Sequence, residues 1–293
     1  SSIPKPEIFG YDVSTTNKFG FRYILMELLP GRIVDHDSKN SIPKEKWTSL
    51  ADQLAGYMYQ LSKLRFSSIG HLPPPDEDNT EEYISPIGGG DPITTCLEYF
   101  YTHRQNHTRW IKADHEGDDQ WATAAWILEQ AVPAMVLPEL VHGPFPLCHV
   151  DFHFENILRD EDFNITGITD WSNVQTVPVE RFTVMPEIAT FPGASEEVKA
   201  RIACFRTALK EGLRRREIEG REQGEDEDEE LPLISDLIGT LRWKIVYRCH
   251  YSYHWRALTD AQLVMKQMYG SQAKWDDFVE FYRNAPIHAK CRR

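Results

Sequence analysis

The sequence predicts an α+β fold that is mainly helical, with its few strands at the start and in the middle. Three observations carry this: an extended apolar opening that stops at Pro30-Gly31, long stretches after residue 43 with apolar residues at helical spacing, and two short apolar runs around an acidic turn between Leu147 and Asp170. With 293 residues and 41% hydrophobic content, there is enough apolar material for a sizeable core.

The opening reads as strand, turn, strand. Ile8-Phe9-Gly10-Tyr11 leads to the polar turn Ser14-Thr15-Thr16-Asn17-Lys18, and Phe21-Arg22-Tyr23-Ile24-Leu25-Met26-Glu27 follows. From Pro43 to Phe66, the recurrence of Trp47, Leu50, Leu54, Tyr57, Leu61 and Leu64 predicts a half-buried helix with proline in its first turn. A loop rich in proline and acid covers 71–80. Helices are expected near 92–113 and 118–136, the second with Asp118 placed to cap its free amides. Leu147 to Asp151, Asn156-Ile157-Leu158, the turn Asp160 to Asn164 and Ile165 to Asp170 read as a β-hairpin region. Helices then return at roughly 195–218, 233–257, 260–269 and 274–283.

Charge and cysteine usage exclude several classes. A net charge of −13 leaves no basic stripe for nucleic acid, whose recognition needs cations to displace phosphate counterions. Seven of the acids, Glu222 and Glu225 to Glu230, crowd one segment that reads as a solvated loop or a frayed helix end. The five cysteines are far apart with no C-x-x-C pair, which fits a reducing compartment rather than a zinc or redox site. No apolar run approaches a membrane span, and the opening Ser1 to Pro6 lacks the apolar core of a signal peptide, so a cytoplasmic protein without a membrane partner is expected. A start without methionine leaves room for a fragment. There is no internal repeat.

The chemistry concentrates in His149-Val150-Asp151-Phe152-His153-Phe154-Glu155-Asn156, an H-x-D-x-x-x-x-N pattern, with Ile168-Thr169-Asp170-Trp171 across the hairpin. Phosphoryl transfer needs a carboxylate at the attacking hydroxyl and oxygen ligands for Mg²⁺ on the phosphates, and little covalent help. A loop carrying Asp and Asn beside a hairpin that ends in a second Asp supplies those oxygens.

These residues carry a resemblance. The stretch from Gly143-Pro144-Phe145-Pro146-Leu147-Cys148 through Asp170-Trp171 to Gln175-Thr176-Val177-Pro178 is similar to fungal members of the aminoglycoside phosphotransferase and choline kinase-like family, and Tyr23 to Gly31 looks like their interlobe hinge. The resemblance implies a protein-kinase-like fold and ATP-dependent phosphorylation of a hydroxyl on a small molecule. It implies Asp151 as the catalytic base or hydroxyl-orienting carboxylate, Asn156 and Asp170 as Mg²⁺ ligands, and backbone groups of Glu27, Leu28 and Leu29 as adenine contacts. His149 belongs to the catalytic loop, as the residue that holds it against the hairpin rather than a proton carrier, and His153 has no assigned role. Glu155 and Ser172 depart from the family's common residues, but neither removes a named ligand.

The family's glycine-rich strand pair, strand lysine and partner glutamate should precede the hinge, and they are not in this sequence. The expectation is a remnant of the N-terminal lobe over 1–31 and a helical C-terminal lobe over 32–293, with a weak grip on ATP, little or no phosphotransfer by this chain alone, and exposed N-terminal strands that favour self-association. Gly88-Gly89-Gly90 follows no clear strand and reads as a flexible turn. Trp243, Tyr247, His250, Tyr251, His254 and Trp255 share a helical stripe that reads first as core. Any exposed part, with Asp236 nearby, would suit a cationic substrate. Two other readings stay open: a binding module that retains the loop without turnover, and an enzyme using the same carboxylates without ATP.

Overall fold

Apolar spacing, caps and breakers account for most element boundaries. A computed structural model of the protein describes residues 2–33, 42–72, 84, 90–184, 195–224, 231–252 and 254–285. Residues 73–80 of the acid-rich loop, Gly88-Gly89, the acidic run 225–230 and Cys291 lie outside the described residues. Two strands, β1 (Ile8–Asp12) and β2 (Tyr23–Met26), precede the short β3 (Arg32–Ile33). Next are α1 (Lys44–Ser62), β4 (Arg65–Phe66), α2 (Cys96–Asp114), α3 (Asp119–Gln130) and the single turn α4 (Val132–Met135). The middle holds β5 (Phe145–Cys148), β6 (Ile157–Arg159), β7 (Ile165–Ile168), β8 (Gln175–Thr176) and α5 (Val179–Phe182). The remaining helices are α6 (Glu196–Glu222), α7 (Ile234–Leu237), α8 (Leu241–His250), α9 (Ala257–Tyr269) and α10 (Trp275–Asn284).

The chain divides into two compact units. The first comprises Ser1–Leu64, Leu147–Gln175 and Met185–Ser235. In it, β1 and β2 form an antiparallel hairpin with Tyr11 opposite Ile24, turned by Asn17, whose side chain bonds the backbone of Ser14, Phe19, Gly20 and Phe21. A second sheet runs β3-β6-β7, with Leu158 paired to both Ile33 and Gly167. Its apolar core belongs to α1 and α6: Leu50, Leu54, Met58 and Leu61 recur on one face of α1, Phe205, Leu209 and Leu213 on α6, and all are buried. Each such side chain contributes about 1.5–3 kcal/mol through burial. Gly212 lets the two helices approach closely, since a Cβ there would lie 2.6 Å from Asp52 Oδ1 and 3.1 Å from Ala55 Cβ. Asp52 bridges the helices through Arg216, at 2.8 and 3.0 Å, and Arg215, at 2.7 Å, and these bonds hold its carboxyl below the usual range.

The second unit comprises Arg65–Pro146, Thr176–Val184 and Asp236–Arg293. Its core gathers Phe100 of α2, Ile127 and Leu128 of α3, Val246 of α8, and Val264 and Met265 of α9. Asp118 caps α3 as expected, its Oδ1 accepting from the N–H of Gln120 at 2.8 Å and of Trp121 at 3.4 Å. The helix expected over 118–136 breaks after Gln130, and Pro133 sits in the first turn of α4, where its missing N–H costs least. The helix expected over 233–257 also breaks. Gly239 turns at φ 82° and Thr240 caps α8 through Trp243 N–H at 3.2 Å. The aromatic stripe is core: Trp243, Tyr247 and Tyr251 are buried, and Trp243 Nε1 donates to Thr183 O at 2.8 Å. Trp255 of the stripe is exposed. Among the described residues, no helix is long and apolar enough to cross a membrane.

Candidate active site

The H-x-D-x-x-x-x-N loop lies in the first unit, directly before β6, and backbone pairing decides its geometry. The β6-β7 ladder pairs Ile157 with Ile168, and one step further Thr169 N–H donates to Asn156 O at 2.9 Å. Asn156 is therefore held one residue from Asp170. His149 Nε2–H donates to the carbonyl of the same Thr169 at 2.8 Å. Both backbone groups of Thr169 are bonded to the loop, one to each end of the motif.

His149 is buried, edge-on to Trp171 at 4.9 Å between ring centroids and against Phe152 at 5.4 Å. Burial lowers its pKa, against the Thr169 bond and the charges of Asp151 and Asp170. A ring whose Nε2 proton is spent on a backbone carbonyl braces the loop against β7. Phe154 anchors the far side of the loop, edge-on to Trp47 of α1 at 5.8 Å. The α1-α6 core thereby reaches the loop, since Trp47 also meets Phe205 of α6 at 5.5 Å.

Asp151 and Asn156 meet directly. Asn156 Nδ2 donates to Asp151 O at 2.8 Å and lies 3.4 Å from Asp151 Oδ2. That orientation commits the amide nitrogen to Asp151 and leaves the harder Asn156 Oδ1 to serve as a ligand. Asp170 stands in the left-handed region at φ 56°, and Ser172 Oγ donates to its Oδ1. Trp171 Nε1 donates to Ile168 O at 2.7 Å and locks the turn that follows. Among the described residues, no three His, Cys, Asp or Glu side chains gather into a metal site. Metal would be held by one amide and one carboxylate oxygen plus oxygens of phosphate or water, which suits Mg²⁺.

The candidate hinge lies in the same unit. Leu29 packs where a side chain at Gly167 would stand: a Cβ there would be 2.7 Å from Leu29 Cδ1. Thr166 Oγ1 donates to Pro30 O at 2.6 Å, tying the hinge to β7 four residues before Asp170. Glu27 N–H is already given to Glu7 O at 2.8 Å, so that donor serves the β1-β2 hairpin, while Leu28 is 95% exposed. Sequence reasoning missed three contributors: His153, the Thr169 backbone and the Ser172 hydroxyl. The only signal for His153 was its place two residues after Asp151.

The sequence model of the phosphotransferase enzyme family APH matches residues 1–179, a span that contains hinge, loop and hairpin. The chain belongs to this phosphotransferase family. The mainly helical α+β class expected from the sequence is the class of the structure, with its helices and short strands. No curated protein matches the chain. Among solved structures, it is similar to a thermostable mutant of aminoglycoside phosphotransferase APH(4)-Ia without ligand, at 16% identity and TM-score 0.46, covering 97% of this chain and 80% of that one. A ternary complex of such a mutant with AMP-PNP and hygromycin B has 15% identity and TM-score 0.48, with 97% and 80% coverage. The gentamicin complex of APH(2")-IIa has 11% identity and TM-score 0.46, with 94% and 77% coverage. Family membership itself rests on the match over residues 1–179.

Proposed function

We propose that this phosphotransferase moves the γ-phosphoryl group of ATP to a hydroxyl of a small molecule, with Asp151 at the nucleophile and Asn156 and Asp170 as the Mg²⁺ ligands. The observation that supports the reading is the pair of hydrogen bonds from the Thr169 backbone to the loop, because they fix the residue before Asp170 against Asn156, whose amide in turn bonds Asp151. In the step, the substrate oxygen forms a bond to the γ-phosphorus, the bond from phosphorus to the β–γ bridging oxygen breaks, and ADP leaves with that electron pair. Asp151 accepts the hydroxyl proton as the bond forms. Bound Mg²⁺ would neutralise charge on the phosphate oxygens. The backbone of Leu28 and Leu29, with the Glu27 carbonyl, would meet the adenine.

The substrate is a hydroxyl-bearing small molecule in this proposal. Three rings of the aromatic stripe are buried, and Arg256 and Arg181 lie over the Tyr247 and Tyr251 faces at 5.7 and 5.3 Å, so the stripe lends no support to a cationic ligand. A cytoplasmic location and self-association through the β1-β2 hairpin complete the proposal.

The test is Asp151→Asn. Turnover of ATP with a panel of hydroxyl acceptors should fall about 10²- to 10⁴-fold, while nucleotide affinity by calorimetry stays close to that of the parent. Unchanged turnover in the variant, or a parent without Mg²⁺-dependent nucleotide binding, overturns the reading.

A further inference from the structure

His153 touches both the catalytic carboxylate and the turn that carries Asn156. Its Nδ1 accepts the N–H of Glu155 at 3.2 Å and so caps the 3-10 turn Phe154–Asn156. A ring nitrogen that accepts carries no proton, so in the neutral imidazole the proton sits on Nε2. Nε2 lies 3.4 Å from Asp151 Oδ1 and 3.3 Å from Asn156 Nδ2. Two N–H donors do not bond one another, and the two protons of the Asn156 amide have Asp151 O at 2.8 Å and Asp151 Oδ2 at 3.4 Å as acceptors. The partner for the Nε2 proton is therefore Asp151 Oδ1. At 3.4 Å the two atoms are in close contact without a formed hydrogen bond, and contacts of catalytic groups often tighten only when substrate binds.

We propose that His153 is a positioning residue for Asp151: the Glu155 backbone fixes the imidazole as the Nε2–H tautomer, and that proton orients Oδ1 so that Oδ2 faces the attacking hydroxyl. The proposal rests on the reading of Asp151 given above. The Asp151 side chain is 47% exposed, so packing alone leaves the carboxylate freedom to turn. A donor on one oxygen and the Asn156 amide beside the other restrict it to one plane.

The experiment is a double-mutant cycle on the full chain with His153→Ala, His153→Gln, Asp151→Asn and the Asp151→Asn/His153→Ala pair. In the parent background, His153→Ala should lower kcat about 10- to 100-fold with the KM for ATP changed by no more than about 3-fold, the scale expected for a misplaced catalytic group. His153→Gln should restore most of the loss, since its amide can accept from Glu155 and donate to Asp151. In the Asp151→Asn background, His153→Ala should cost nothing further. Equal losses in both backgrounds, no loss, or a glutamine variant as poor as alanine overturns the inference, while a loss on Asp151→Asn leaves the function standing. A parent without phosphotransfer overturns both. Nitrogen-15 shifts of the His153 ring give a readout independent of turnover: a protonated Nε2 and a bare Nδ1 are expected, and the opposite tautomer overturns the assignment.

Discussion

Asp170 sits at φ 56°, a backbone conformation that side chains with a Cβ seldom adopt outside Asn and Asp. Its carboxylate is the one anionic oxygen group among the two proposed metal ligands, so Asp170→Ala should remove most of the Mg²⁺ dependence of nucleotide binding. A Mg²⁺ titration against bound nucleotide checks this, and equal dependence in parent and variant would count against the ligand assignment. Ser172 has a smaller task. Its hydroxyl bonds Asp170 Oδ1, so Ser172→Ala should weaken Mg²⁺-dependent binding only a few-fold, the scale of one neutral-to-charged hydrogen bond at an exposed site. The sequence named both ligands from the motif, yet Ser172 stood in it only as a departure from the common residue. Its bond depends on how the turn after Asp170 folds, which residue identity does not state.

At the scale of elements, the α1-α6 pair supports the loop through Trp47, and its close approach rests on Gly212. Alanine is the better helix former by about 1 kcal/mol, yet Gly212→Ala should destabilise by about 1–3 kcal/mol, because the new methyl would press on Ala55 and on a carboxylate held by two arginines. The midpoint of urea unfolding measures it. Gly56→Ala is the contrast: the nearest atoms to its methyl would be those of the flexible Arg216 guanidinium, from 3.3 Å, and it should be tolerated. The apolar spacing that made α1 and α6 visible in the sequence says where each helix is. Gly212 looks like any helix-weakening glycine until its neighbour is known.

For the whole molecule, buried histidines set the response to acid. Burial holds His149 below its ordinary pKa, and His103 is pushed down to about 3. His250 lies well below its ordinary value, chiefly through burial, and its Nε2 accepts from Arg181 Nε at 2.8 Å. Between the unfolded value near 6.5 and these lowered values, the unfolded chain binds protons that the folded chain refuses, so stability falls as pH drops below about 6.5. Glu180, Glu217 and Asp260 are raised by burial, and they act with the opposite sign just above their ordinary values, offsetting part of the loss there. Thermal melts from pH 7.5 to 5.5 should show a monotonic fall in Tm, and a flat profile would contradict the buried neutral histidines. The β1-β2 hairpin makes a second prediction at this scale. Phe9, Ile24 and Leu25 are each more than half exposed on a two-stranded sheet, so sedimentation should show concentration-dependent association that Ile24→Lys with Leu25→Lys reduces.

What the sequence by itself determined is local: the helices marked by three- and four-residue spacing, the Asp118 cap and the hairpin around Asp160 to Asn164. These features depend on residues near one another in the chain, where periodicity and capping act directly. Only the tertiary structure decided that Trp243, Tyr247 and Tyr251 are core, that Glu27 N–H serves Glu7, that Thr166 ties Pro30 to β7, and that His153 faces Asp151. Each of these turns on which donor meets which acceptor, or which ring meets solvent, once segments have packed. A hydrogen-bonding side chain offers several partners of similar strength, and residue type does not choose among them; packing does, because a buried polar group left without a bond costs more than the bond itself is worth.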